Sequence, residues 1–337
     1  MHDSFFDTTE KLLTQVSTPQ VIRSIERGGE TQALWSSLQE SGFADALLPE
    51  SADGAGLTLN DIWSVIFATG RHVVPLPFAQ TILARAWLNA QGQTIPTGSI
   101  TFAPFQLQKS GDALVGHAVT FGRTADWVLA QKDAEVWLLP VADATVVTSG
   151  GHGSLDADLS WTPEVAKRSL LGRWQSDQFM HLLALCQSVL IAGAADRAFE
   201  MTLAYANQRV QFGKPIGKFQ ALQQQISEMA EQVFGARMAA EMACRSTNWQ
   251  PIPSLVAMAK THTSQAVAKI SSVAHAVHGA IGVTHEYDLQ LYTRRLNEWA
   301  RLGGGFGFWS AQLGQDFLAS NSSAVDYVRH ALFSEPV

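Results

Sequence analysis

A mainly α protein with a small β middle domain is predicted by three changes of pattern along the 337-residue chain. Residues 1–95 carry short helical runs broken by glycine- and proline-bearing turns, and residues 96–172 carry brief β-rich runs. From about residue 175 to 320 an apolar period of three and four takes over, the spacing of long helices. A chain of this length is enough for two or three packed units with a sizeable core. The expected domains are therefore 1–95, helical; 96–172, a short β domain; and 173–337, a helical bundle.

In the first zone a polar opener is followed by TQALWSSLQESGF (31–43), LTLNDIWSVIFATGRH (57–72) and PFAQTILARAWLNA (77–90), each read as a helix. Thr58 or Asn60 is placed to cap the second of these, and Gly42 and Gly70 are expected to end the first and second. LLPESADGAGL (47–57) reads as a turn-rich loop. In the middle zone SITFA, ALVGHAVTF, DWVLAQ and EVWLLPV are bounded by Gly, Asp and Pro, so several antiparallel strands are expected, with room for about half a dozen. In the third zone Phe219, Leu222, Ile226, Met229 and Val233 form one apolar stripe. Leu255, Ala259, His262, Ala266, Ile270, Val273 and Val277 form another, as in an antiparallel bundle.

Composition removes several classes of function. A formal charge of −7 leaves no basic stripe for nucleic acid. The start, MHDSFFDTTEKLL, carries acids where a secretory signal needs an apolar core. LLALCQSVLIAGAA (182–195) is too short for a membrane span and holds Gln187, so it reads as a buried helix. Cys186 and Cys244 have no metal-type spacing, and a reduced cytoplasmic protein is the economical reading. Charged residues are only 16% of the chain, against ~25% in ordinary soluble domains. Another subunit is the simplest cover for such a surface.

Among chemistry-bearing residues, His275 and His278 stand one helical turn apart with no third ligand nearby, so core or interface histidines are expected there and no metal. GGGFGF (303–308) departs from the phosphate-binding glycine pattern, and no Ser, Cys or His stands in a nucleophile motif. Two segments remain. In NQRVQFGKPIGKFQ (207–220) a helix stops at Arg209 and cannot pass Gly213 and Pro215. Two readings fit: a helix C-terminus with Arg on the dipole, or an anion site with Arg209 on a phosphate and Phe212 over a planar ring. In AVHGAIGVTHEYDLQLYTRR (276–295) a helix ends at Gly279 and another begins after Thr284. Its glycines are either C-cap devices or points of close backbone approach to a ligand.

The order and separation of the two segments resemble the acyl-CoA dehydrogenases. The R-x-x-F-G-x-P-I-x-x-F-Q run at 209–220 and the H-G-x-I-G-x-T-x-E-x-D-L-x-L-Y-x-R-R run at 278–295 carry the resemblance. LLPESADGAGL and GRHVVPLPFAQT extend it over nearly the whole chain. The resemblance implies an N-terminal helical domain, a reduced β-barrel-like domain and a C-terminal four-helix bundle. It also implies FAD as cofactor, an acyl-CoA as substrate and α,β-desaturation of the thioester. Arg209 would meet the pyrophosphate of a flavin bound by a neighbouring subunit, Phe212 would pack on its adenine side, Gln220 would bond nearby, and His278 with Gly279 would touch the same cofactor.

Three departures from the family pattern shape the expectation. The Thr-Glu-Pro and Gly-Ser-Asp stretch, which in that family contacts the flavin ring and thioester, has no counterpart between Leu88 and Leu114. The Gln-x-x-Gly-Gly loop becomes Ala276-Val277-His278-Gly279-Ala280. The catalytic glutamate falls on Gly303 or, at its alternative place, on Leu183 followed by Ala184; no base is assigned, and Glu298 lies more than a turn early. The expected protein is thus one half of a heteromeric, cytoplasmic β-oxidation enzyme, paired with a longer acyl-CoA dehydrogenase subunit. The alternatives are a non-catalytic scaffold with the same fold, or a homo-oligomeric dehydrogenase whose base is shifted to a residue such as Glu298.

Overall fold

A computed structural model describes residues 4–174 and 178–332. The chain divides into two compact units. The first holds the chain up to Val65, then Val74–Cys186 and Thr247–Gln250; the second holds Ile66–Val73, Gln187–Ser246 and the chain from Pro251. The polar opener is two helices, α1 (Ser4–Val16) and α2 (Pro19–Glu26), followed by α3 (Gln32–Glu40), α4 (Leu59–Arg71) and α5 (Phe78–Ala90). Thr58 caps α4 in a reciprocal box: its Oγ1 accepts from the Asp61 backbone N–H, and Asp61 Oδ2 accepts from the Thr58 backbone N–H at 2.9 Å.

Gly70 does not end α4, which runs one residue further. Its role is close packing, because a Cβ there would lie 2.4 Å from the Leu190 carbonyl oxygen. Gly193 repeats the device, since its Cβ would lie 2.1 Å from the Phe67 carbonyl oxygen. The contact of two backbones, invisible to a rule about helix ends, is what selects glycine here. Arg71 then pairs with Asp196 and, at 2.9 Å, with Glu200.

Eight strands, two more than the expected half-dozen, lie between Ile100 and Arg173. They are β1 (Ile100–Phe102), β2 (Gln108–Ser110), β3 (Ala113–Val119), β4 (Trp127–Lys132), β5 (Glu135–Pro140), β6 (Thr145–Thr148), β7 (Ala157–Trp161) and β8 (Leu170–Arg173). They fit because four of them have only three or four residues, below the usual ~5–6. One sheet has the order β1-β4-β5-β8 and the other β2-β3-β7-β6. Pairing is antiparallel except that β1 runs parallel to β4. The short helix α6 (Pro163–Arg168) separates β7 from β8.

Leu114, Leu139, Leu159 and Trp161 are among the residues of one buried cluster drawn from both sheets. The Trp161 indole donates to the Pro140 carbonyl at 2.8 Å, so the last core ring is also pinned by a hydrogen bond. Along α5 every residue from Phe78 to Leu88 is buried. The one cation among them, Arg85, is matched by Asp45 at 2.7 and 2.8 Å, Gln39 at 2.9 Å and the Gly98 carbonyl at 3.1 Å.

The remaining helices are α7 (Gln178–Gln208), α8 (Gln220–Ala243), α9 (Pro253–His278), α10 (Leu289–Arg301), α11 (Phe306–Ala319) and the short α12 (Ala324–Tyr327). Residues 175–177, where the bundle was expected to open, lie outside the described residues. Two helical stretches, Gln178–Gln208 and Pro253–Val283, are long and apolar enough to cross a membrane, but the apolar window of the first is 83% buried inside the protein, as in a core helix. α9 packs against α8, α10 and α11. Its stripe is buried as expected, with His262 alone half-exposed. Both cysteines are buried thiols outside any disulfide, and burial pushes the Cys244 thiol far above its ordinary pKa.

Lys260 is fully buried on α9 and donates to the Trp299 carbonyl in the last turn of α10. Burial drives its pKa well below the ordinary lysine value. The unfolded chain therefore holds a proton that the folded chain refuses, and stability rises as pH climbs towards the ordinary lysine pKa. Urea denaturation of the wild type should show this rise between about pH 8 and 10, and Lys260→Met should flatten it. An unchanged slope in the variant would contradict this account of Lys260.

Candidate functional site

α7 ends at Gln208, and its final i→i−4 bond runs from the Arg209 N–H to the Tyr205 carbonyl at 2.8 Å. The chain then makes a miniature hairpin in which β9 (Val210–Gln211) pairs antiparallel with β10 (Lys214–Pro215). Its two turn residues, Phe212 at φ 51° and Gly213 at φ 79°, are both left-handed. This is the geometry of the tight primed turns whose twist matches a hairpin, and glycine or asparagine is the usual occupant. A phenylalanine there costs about 1–2 kcal/mol of backbone strain. Its side chain gains little burial in return, being 92% exposed.

The hairpin is closed at its base by Ile216 N–H on the Arg209 carbonyl at 2.8 Å, and Ile216 itself is buried. Phe219 meets Phe212 edge-to-face at 6.1 Å and carries the Lys214 ammonium 4.5 Å above its ring. Arg209 is exposed, and its guanidinium has no partner among the described residues. From 201 to 227 the chain holds Arg209, Lys214 and Lys218 and no Asp or Glu, within a protein whose net charge is −7. Cationic groups and an exposed ring thus share one projecting loop. Gln220, the first residue of α8, is exposed and follows Phe219 directly.

The second segment begins where α9 ends. His278 is 3% exposed, and its Nδ1 bonds the Ala274 carbonyl at 2.8 Å. That bond places the proton on Nδ1 and leaves Nε2, buried and without a partner, as an acceptor. The ring stacks on Tyr205 at 4.5 Å and 25°, and Tyr287 flanks it at 5.1 Å. Gly279 follows at φ 63°, ψ −143°, a conformation that excludes other residues. Gly282 lies close over the histidines, since a Cβ there would come 2.9 Å from His278 Cβ. His275 Nε2 meets Thr293 Oγ1 of α10 at 3.0 Å.

The structure therefore joins two of the expected residues, Arg209 and Phe212, in one hairpin. It ties that hairpin to His278 and Gly279 through Tyr205, which the sequence reading missed. Tyr205 stands four residues before Arg209, on the same helix face, and that spacing was the available signal. Among the described residues no group of three or more His, Cys, Asp or Glu could hold a metal, and the histidine pair packs against Tyr205, Tyr287 and Thr293. Of the places considered for a base, Leu183 is a buried core residue of α7. Gly303 sits at φ 63° in the turn before α11, its carbonyl accepting from the Trp309 indole at 2.9 Å. Glu298 is engaged by Arg295 at 2.6 Å, and Arg295 is itself buried.

Comparison with known proteins points the same way. Residues 175–305 match the acyl-CoA dehydrogenase C-terminal domain. The relatives that match along most of the chain are acyl-CoA dehydrogenases. Acyl-CoA dehydrogenase IpdE2 of Mycolicibacterium smegmatis is 28% identical over 310 residues, 88% of this chain and 93% of that protein. The IpdE2 of Mycobacterium tuberculosis is 29% identical over 312 residues, 88% of this chain and 91% of that protein. In fold the chain is similar to a chain in the crystal structure of the ChsE4-ChsE5 complex from Mycobacterium tuberculosis, with TM-score 0.81 and 22% identity over 96% of this chain and 99% of that one. The mainly α architecture with small β sheets is thus an acyl-CoA dehydrogenase fold.

Burial lowers the pKa of His278, and the neighbouring His275 lowers it further against the opposing Ala274 bond. Burial lowers His275 too. Below the ordinary imidazole pKa the unfolded chain takes up protons that the folded chain refuses, so stability falls as pH drops through that window. Tm should therefore decline between about pH 7 and 5. His278→Phe keeps a ring in the stack and removes one titrating group, so its decline should be shallower. An equal slope would show that His278 does not titrate as its burial requires.

Proposed function

We propose that this chain is the cofactor-arm subunit of an FAD-dependent acyl-CoA dehydrogenase, working beside a longer subunit of the same family. The observation that carries the reading is the 209–216 hairpin: an unpartnered guanidinium and an exposed aromatic ring, with no carboxylate from 201 to 227. Those groups fit the anionic and adenine half of FAD. A guanidinium recognises phosphate oxygens with two parallel hydrogen bonds, and an exposed aromatic face accepts a planar base. Backbone strain held at an exposed phenylalanine also favours function over packing.

In this reading Arg209 binds the pyrophosphate, Phe212 covers the adenine side, Gln220 bonds nearby, and the His278–Gly279 turn brings backbone close to the same group. FAD, when bound, supplies the acceptor for the hydride that leaves the β-carbon of the acyl thioester. This chain's share is to hold and orient the cofactor. The division into 1–95, 96–172 and 173–337 belongs to the same reading, with the middle domain reduced where a flavin ring would need its wall. Cytoplasmic β-oxidation is the setting it implies.

Two further features support a partner. Phe234 and Met238, one turn apart on α8, are 53% and 64% exposed, and a face of that kind is ordinary at an obligate interface. The Glu298 carboxylate, the base of the homo-oligomeric alternative, is engaged by Arg295. Abstraction of the α-proton needs a positioned acceptor, and losing a general base costs ~10²–10⁴ in rate.

The test is anaerobic. Pure protein, FAD in excess and a panel of acyl-CoA thioesters are mixed, and flavin bleaching is followed. The isolated chain should leave the flavin oxidised, and Gly303→Glu should rescue little because the ring still lacks its wall. Co-expression with a longer family member should bring bound flavin and bleaching together. Rapid bleaching by the isolated chain would overturn the half-enzyme reading in favour of the homo-oligomeric enzyme.

A further inference from the structure

Three aromatic rings from separate segments meet where α7 ends. Tyr205 stacks on His278 at 4.5 Å, His278 is flanked by Tyr287 at 5.1 Å, and Tyr205 meets Tyr287 edge-on at 6.2 Å. His278 closes α9 and precedes the Gly279 turn, and its own orientation is fixed by the bond from Nδ1 to the Ala274 carbonyl. Tyr205 therefore leans on a ring whose rotation that bond opposes.

The last turn of α7 has little else to hold it. Asn207 and Gln208 are exposed, and Ala206, though buried, offers only a methyl group. Arg209 itself is exposed and without a side-chain partner among the described residues. Its direction is thus set by the backbone, through its N–H on the Tyr205 carbonyl and its carbonyl on the Ile216 N–H, both 2.8 Å. One end of that linkage is anchored by buried Ile216 and the other by the Tyr205 ring.

We propose that Tyr205 is the positioning residue of the arm: its ring, stacked on His278, fixes the direction in which Arg209 leaves α7 and so sets the guanidinium for a phosphate oxygen. The proposal rests on the reading above, in which Arg209 meets the FAD pyrophosphate. It assigns the function to the ring face and not to the phenol hydroxyl. It also makes Tyr205 act only through Arg209, which separates it from an ordinary packing residue.

That separation is measurable as coupling in a double-mutant cycle. FAD affinity is determined by equilibrium dialysis on the assembly in which the full chain purifies, for wild type, Tyr205→Ala, Arg209→Ala and the double variant. Arg209→Ala should weaken binding roughly 10- to 100-fold, as expected for loss of a charge-assisted bond. Tyr205→Ala should weaken it by roughly tenfold or more, up to the Arg209→Ala loss, and the double variant should be no worse than Arg209→Ala alone. Tyr205→Phe should bind as wild type. Tyr205→Leu, which keeps bulk without a stacking face, should behave as alanine and covers the case in which Tyr205→Ala does not fold. Additive losses, an unaffected Tyr205→Ala, or a Tyr205→Phe as weak as alanine would each overturn the positioning role while leaving the Arg209 reading intact. An Arg209→Ala that binds normally would bring down both.

Discussion

The constraint on which the site depends is the pair of left-handed residues at 212 and 213. A helix of 31 residues must stop, reverse within a two-residue turn and restart as α8 within a dozen residues. Gly213 satisfies the turn without cost, but Phe212 does not, and its exposure at 92% means that burial within this chain does not offset the strain. The turn holds a large ring away from its own protein. Every other feature of the loop is consistent with that: the hairpin bonds stiffen it, Ile216 anchors its base, and the stretch from 201 to 227 lacks any acid that would neutralise its cations.

The same economy runs through the packing behind it. Glycines are placed where two backbones approach, as at Gly70 and Gly193, so that α4 and α7 meet there backbone to backbone. Three buried cations have named partners: Arg85 has Asp45 and Gln39, Arg71 has Asp196 and Glu200, and Lys260 has the Trp299 carbonyl. Such groups are expensive to bury alone and rigidify the fold once paired. His278 Nε2 is among the buried polar atoms left without a partner, as are both amide atoms of Gln187.

Much of this was legible in the residue pattern. The apolar stripes of α8 and α9, the helix stop at Arg209 and the glycine at the end of α9 all follow from periodicity and cap chemistry, because those forces act between residues close in sequence. The short strands β2, β6, β7 and β8 were not legible, since runs such as QKS and TVVT carry too few residues to show an alternating face. The parallel pairing of β1 with β4 and the role of Gly70 depend on contacts distant in sequence. The site was half-legible for the same reason. Arg209 and Phe212 announced themselves by a motif, whereas Tyr205 acquires its meaning only from the ring of a histidine 73 positions further on.

In the proposed assembly residues 209–220 of this chain touch FAD. Photolabelling with an FAD analogue that carries its azide on C8 of the adenine, in the assembly that contains the full chain, tests it directly, because the azide reports contact at a peptide rather than overall affinity. The account predicts that the label is recovered on this chain within the peptide spanning Arg209 to Gln220, and that excess unlabelled FAD suppresses it. Label confined to a partner subunit, or to segments of this chain remote from the hairpin and the His278–Gly279 turn, would contradict it.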